Sequence, residues 1–422
     1  MKKSALLSAA FALAFACNYA GGYSSIAKTT AGNSSGTRSA DFGKRLLSMN
    51  AKQSTSSDFA LKLFSETCKG SKEQNVLVSP FSAYAALSMT LNGADSHTLT
   101  QMAKVLGVSG GDVAALNAKF EKLLADINAN DKVQFEVANA IYADESTPFK
   151  KTFIDLCKKV YGAEVHNEDF KKKEAVIDKI NAWCNEKTHG KISSILDKMT
   201  PLDKMVLLNA IYFKGAWQEQ FKPGNTQDDK FNTASGEKVP VKMMHQQEHF
   251  AYFKGSNFSA ISMKYQGYKQ SMYIFLPDSG VSMDAFESQF TRENWTSWME
   301  KFDSSHEVVV SMPRFKVEYS TNLNDTLKAM GMTDAFERTA DFSKMISPPY
   351  KAWIGRVLQK TYMDVNEEGT EAAAVTAVVM MAARAMMRRD EPIQFRVDRP
   401  FALAMVDEQS GEILFLGKIM KP

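Results

Sequence analysis

The chain has 422 residues, 44% of them hydrophobic and 23% charged, a length and composition that describe a globular protein able to bury a large core. Its net charge is only +3 and its acidic and basic residues are interspersed, so no extended cationic field marks nucleic acid as a partner. Beyond the first residues no stretch is apolar for long enough to span a bilayer.

Lys2 and Lys3 precede an uncharged run from Ala5 to Ala16 that is too short to cross a membrane, which makes 1–16 a signal peptide with Ala14-Phe15-Ala16 as its small-x-small cleavage signal. Cys17 follows directly and gives a second reading, the lipid-bearing first residue of a lipoprotein. Either way the mature chain is expected outside the cytoplasm, secreted or at the cell surface, with a lipid at Cys17 as its one link to a membrane. Residues 17–54 are rich in Gly, Ser, Thr and Ala and have no apolar period, which describes a flexible spacer. Without a second low-complexity linker or an internal repeat, 55–422 reads as one folded domain. Its cysteines, Cys68, Cys157 and Cys184, are an odd set lacking C-x-x-C spacing, so three buried thiols are expected rather than a disulfide framework, with one bridged pair as the alternative.

Phe59, Leu63 and Phe64 sit at helical spacing behind the Ser-rich start at Ser54 to Ser57. Asn75 to Val78 is a short strand ending in Ser79-Pro80, a helix-start signal. Helices dominate the first half. Strand alternation appears at Phe135, Val137, Asn139 and Ile141, a buried run covers Met205 to Phe213, and alternation returns from Val357 to Val365. Two short strands, Phe401 to Val406 and Ile413 to Ile419, close the chain around the turn Gln409-Ser410-Gly411. The class is α+β with long antiparallel strands.

Catalytic constellations fail on context. Gly32-Asn33-Ser34-Ser35-Gly36 matches G-x-S-x-G, but it lies in the spacer and not on a strand-to-helix turn. His245 and His249 flank Glu248 in the wrong order for H-E-x-x-H, so no metal or cofactor is expected. Lys171-Lys172-Lys173 opens a helix, where a solvated face accounts for it and a polyanion patch is the alternative.

The stretch that stands out is Glu367-Glu368-Gly369-Thr370-Glu371-Ala372-Ala373-Ala374-Val375-Thr376-Ala377, running on through Val378 and Val379 to Ala383, Arg384 and Ala385. If it becomes a strand, Thr370, Ala372, Ala374, Thr376 and Val378 share one face, which is small or β-branched and free of proline and charge, while Glu371 falls on the opposite, solvent-reaching face. This stretch resembles a serpin hinge and reactive loop. The resemblance extends in order through "NVLVSPFSAYAALSMTLNGA" from Asn75, "VLLNAIYFKGAW" from Val206, "IFLPDSG" from Ile274, "MPRFKVE" from Met312, "RPFALAMV" from Arg399 and the closing "LFLGKIMKP".

The resemblance implies a serpin fold of helices packed on three β-sheets with an exposed reactive loop at about 367–392. It implies a monomeric protease inhibitor, not an enzyme, that is cleaved as a substrate and then inserts its loop between central strands. By motif position Ser79, Ser82, Asn209 and Gln359 form a polar cluster beneath those strands, with Gln359 where many relatives carry histidine, and Trp217 marks the hinge entry. The family spacing from Glu367 puts the attacked bond at Ala383-Arg384, implying an elastase-like serine protease. One residue further, Arg384-Ala385 implies a trypsin-like one. A cysteine protease is a further target class. A non-inhibitory carrier, chaperone or storage role is the alternative, disfavoured by a hinge so suited to strand entry.

Overall fold

The computed structural model describes residues 55–200, 203–371 and 391–422. The signal, Cys17, the spacer with its Gly32 to Gly36 motif, hinge residues Ala372, Ala373, Ala374 and Thr376, and the bonds around Ala383, Arg384 and Ala385 lie outside them.

Helix starts follow local chemistry. Ser79 caps α2 (Pro80–Leu91), its hydroxyl accepting the Ser82 amide, and Pro80 fills the first position, where no N–H is needed. All of α2 is buried, which accounts for its uncharged composition. Before it come α1 (Thr55–Cys68) and the strand β1 (Val76–Val78), and after it α3 (Ser96–Leu106), α4 (Val113–Ile127), α5 (Lys151–Tyr161) and α6 (Lys173–Lys187). Three short helices, α7 (Met283–Glu287), α8 (Arg292–Met299) and α9 (Asn324–Ala329), follow in the second half.

The described strands form three sheets. Sheet A carries β2 (Val133–Asp144), β3 (Glu164–Glu168), β4 (Met205–Ala216), β11 (Phe315–Asn322), β12 (Ile354–Val365) and β13 (Gly369–Thr370), in the order β11-β12-β13-β4-β2-β3. Sheet B joins β1 to β7 (Ala251–Lys254), β8 (Phe258–Lys264), β9 (Gln270–Pro277), β15 (Phe401–Asp407) and β16 (Ile413–Ile419). Sheet C holds β5 (Gln227–Asn232), β6 (Lys238–His249), β10 (Glu307–Pro313) and β14 (Ile393–Arg396).

Sheet A is covered on both faces, so β4 reads as a continuous apolar run rather than an alternating one. Its inner face meets α2 and the main core. On its outer face Val176, Ile180, Trp183 and Cys184 of α6 pack on Leu208, Ala210, Leu358 and Tyr362. The expectation of long antiparallel strands needs one correction: β12 and β4 run parallel, paired from Ile354 opposite Met205 to Thr361 opposite Ile211. Cys68, Cys157 and Cys184 are free and buried. Burial pushes the Cys157 and Cys184 thiols up to about 12, which leaves them poor nucleophiles.

Candidate functional site: the seam of sheet A and its hinge

Above Thr361 and Ile211, β12 and β4 no longer pair with each other. Into that opening the chain folds back after Val365 as β13, with Thr370 opposite Val365 on one side and Gly215 on the other, and Gly369 opposite Ala216. The reversal is tight. The Asn366 carboxamide oxygen accepts the Glu368 amide at 3.0 Å, and the Asn366 amide donates to the Gly369 carbonyl at 2.9 Å. Gly369 has φ +153°, and a Cβ there would lie 2.1 Å from the Gly215 carbonyl oxygen, so no other residue fits this crossing.

Each hinge residue is held by a different group. The Trp217 amide donates to the Glu368 carbonyl at 2.8 Å and its indole Nε1 to the Asn366 carbonyl at 3.0 Å. Trp217 is fully buried and stacks on Tyr265, ring centroids 4.6 Å apart, and the Tyr265 hydroxyl pairs with the Thr370 hydroxyl at 2.8 Å. Arg314 donates to the Glu367 carboxylate through Nε at 2.8 Å, and the Thr226 hydroxyl donates to the same oxygen. Burial alone would raise the Glu367 carboxyl, but Arg314 and Thr226 override it and hold the group below the usual carboxylate range. The start of the expected exposed loop is therefore corrected: Thr370 is buried because β13 seats it in the sheet, and Glu367 is buried beside Arg314 and Thr226. Glu371 does face away from Thr370, but it does not reach solvent. Its carboxylate, 4% exposed, pairs with Lys191 at 2.7 Å under the connection that follows α6.

Lower down, the closed part of the seam is bridged by the polar cluster. Gln359 Nε2 donates to Asn209 Oδ1 at 2.6 Å and to the Ser79 carbonyl at 2.9 Å, while the Ser79 amide donates to Gln359 Oε1 at 2.9 Å. Asn209 Nδ2 donates to the Ser82 hydroxyl and to Asn139 Oδ1. The structure thus brings Ser79, Ser82, Asn209 and Gln359 together, as it does Trp217 with the hinge. It adds Tyr265, Arg314, Thr226 and Lys191, which sequence reasoning did not single out; only Arg314 lay within a quoted motif, "MPRFKVE". His245 hydrogen-bonds Ser311 across β6 and β10, and no group of His, Cys, Asp or Glu that could hold a metal occurs among the described residues.

Comparison with known proteins agrees with this arrangement. The family model described as Serpin (serine protease inhibitor) matches residues 54–422. Serpin B6 of Pongo abelii is 37% identical over 367 residues, covering 83% of this chain and 94% of the relative. The leukocyte elastase inhibitor of Bos taurus is 37% identical over 360 residues, covering 82% and 93%. Among solved structures, the thermophilic serpin tengpin in its native state superposes with a TM-score of 0.79 at 31% identity over 87% of this chain and 93% of its own. Human thyroxine-binding globulin complexed with thyroxine superposes at 0.81 and 27% identity, over 89% and 99%. A two-residue hinge strand seated above a polar-bridged seam, and matches of this extent, show that the chain belongs to the serpin family.

Proposed function

We propose that the chain inhibits serine proteases by a suicide-substrate reaction in which the cleaved loop enters sheet A. The observation that carries this reading is β13, a strand already started between β12 and β4. Continued downward, its register sets Ala372 between Met363 and Phe213, Ala374 between Thr361 and Ile211, Thr376 between Gln359 and Asn209, and Val378 between Val357 and Leu207. The parallel register that now pairs Gln359 with Asn209 is the one this insertion requires, so the strands need only separate and not slip. Thr376 arrives with a hydroxyl where the Gln359–Asn209 bond is broken, and alanines arrive where Phe213 and Thr361 leave little room.

About ten new strand bonds at roughly 1 kcal/mol each are comparable with the total stability of the acylated enzyme, about 5–15 kcal/mol, and suffice to deform it before it deacylates. The attacked bond is Ala383-Arg384 for an elastase-like enzyme, or Arg384-Ala385 for a trypsin-like one. The protein acts after export, secreted or held at the surface through Cys17.

Likeness to thyroxine-binding globulin favours a second reading, a carrier that does not trap enzymes. One experiment separates the two. The purified domain is mixed with an elastase or a trypsin, and denaturant-resistant complex and released C-terminal peptide are measured. Complex with a peptide beginning at Arg384 or Ala385 supports the trap and names its bond. Clean cleavage without complex refutes it.

A further inference from the structure

The chain leaves sheet A at Glu371, and the manner of leaving is unusual. Its amide still donates to the Asp364 carbonyl at 3.0 Å, in strand register, yet its φ is +55°, a left-handed conformation that glutamate adopts at a cost. Insertion beyond Thr370 requires this residue to return to extended backbone. The carboxylate is almost fully covered and pairs with Lys191 at 2.7 Å, with the Lys191 ammonium 5.7 Å from the centre of the Tyr362 ring.

Lys191 belongs to the connection between α6 and β4, which lies across the outer face of the seam. Thr188 starts it, its hydroxyl donating to the Cys184 carbonyl and accepting the Ile192 amide. Ile192, Ile195 and Leu196 then pack in one cluster with Leu208 and Ala210 of β4 and Leu358 and Tyr362 of β12. Lys360 of β12 donates to the Ser194 carbonyl at 2.7 Å, a second tie between connection and seam. In the register that continues β13, Ala373 comes between Tyr212 and Tyr362 on this face, and Val375 between Ala210 and Lys360, so the inserting strand passes beneath the connection.

From this geometry we propose that Lys191 is a positioning residue for loop insertion: its pair with Glu371 stops the hinge at Thr370 and keeps the connection down over the seam until cleavage frees the loop. The proposal rests on the insertion reading and deepens it. Substrate recognition does not involve Lys191. Its removal changes how fast the seam accepts a strand, and leaves unaltered which bond a protease attacks.

The test uses the whole uncleaved chain and a fluorescent synthetic peptide of residues 372–384, whose annealing into sheet A is followed without any protease. Lys191→Met and Glu371→Gln are each expected to speed annealing by about two- to fivefold, the scale of one ion pair whose lysine is partly exposed. The double variant should be no faster than either single one, because both remove the same tie. Lys191→Arg, and the exchanged pair Lys191→Glu with Glu371→Lys, should return the rate toward that of the parent. Equal rates in the parent and Lys191→Met, or additive effects in the double variant, would overturn the role of Lys191 and leave the inhibitory reading standing if trapping of protease is intact. Failure of the peptide to anneal in every variant would overturn insertion, and this proposal with it.

Discussion

Thr370→Arg is the substitution that loads the most onto the hinge. Thr370 is fully buried between Val365 and Gly215, and its hydroxyl reaches the equally buried Tyr265, which is stacked on Trp217. A guanidinium at this point meets aromatic rings and strand backbone, where the Thr370 hydroxyl has the Tyr265 hydroxyl as its partner and not a carboxylate. Leaving an ion buried and unpaired costs several kcal/mol even after relaxation, so the variant hinge is expelled from its seat in the uncut protein, and at about 1.4 kcal/mol per factor of ten its re-entry after cleavage is slowed by about a hundredfold to a thousandfold. Insertion then loses its race with deacylation, and the protease leaves a cut chain behind. The assay is a titration of enzyme with parent and variant, read on a denaturing gel as complex against cleaved chain. Cleaved chain should replace complex almost entirely. The milder Thr370→Val keeps the shape and orphans only the Tyr265 hydroxyl, at about 1 kcal/mol, and should keep most of the complex. If Thr370→Arg traps enzyme at the parent stoichiometry, the inward face of the hinge does not govern insertion and the account is wrong.

Gln359→Leu leaves the Ser79 amide, the Ser79 carbonyl and Asn209 Oδ1 without their partner, and should lower unfolding stability by about 2–5 kcal/mol in a denaturant titration. Glu367→Gln weakens the tie to Arg314 and should lower the thermal midpoint at neutral pH. The native carboxyl is depressed, so its contribution is present above the unfolded carboxylate pKa and lost as pH falls through the folded value. The gap between parent and variant midpoints should therefore narrow as pH is lowered past the ordinary glutamate range, and a gap that does not change with pH there refutes the assignment. Ala373→Trp puts a large ring where the continued register seats residue 373 between Tyr212 and Tyr362, and should yield cleaved chain without complex while leaving the uncut protein's midpoint unchanged.

Much of the framework was legible because it is written in local chemistry. Ser79-Pro80 marks the start of α2, Phe59, Leu63 and Phe64 lie along the buried side of α1, and the alternation from Val357 to Val365 falls on β12. Alternation also separates Thr370 from Glu371. What alternation cannot state is which element covers a face. Glu371 was expected in solvent because a charged residue opposite an apolar one normally is, and only the fold reveals Lys191 and its connection above it. The same limit hid Tyr265, Arg314 and Thr226, whose link to the hinge spans 53 to 141 residues of chain. The parallel pairing of β12 with β4 was unreadable for a related reason. Each strand has the same pattern whichever way its neighbour runs.

In the proposed trap, that pairing explains how the sheet can be both closed and ready to open. A parallel ladder is slightly weaker per residue than an antiparallel one, and here it covers only the lower part of the two strands. Above it the opening is entered by Gly369 and Thr370, with Thr370 paired antiparallel on both sides. Extending β13 exchanges one parallel ladder for two antiparallel ones, so each added residue gains strand bonds on both edges while the seam gives up one. The exchange is downhill once begun, and what delays it is the first step past Thr370, where Glu371 must leave its left-handed turn, and then the arrival of Thr376, where Gln359 must release Asn209. A covalent cut in the loop removes the tether that keeps the rest of the strand from following. The barrier to insertion is therefore concentrated in a few side-chain contacts near the top and middle of one seam, which is why single substitutions there are expected to alter the fate of the complex without altering the fold.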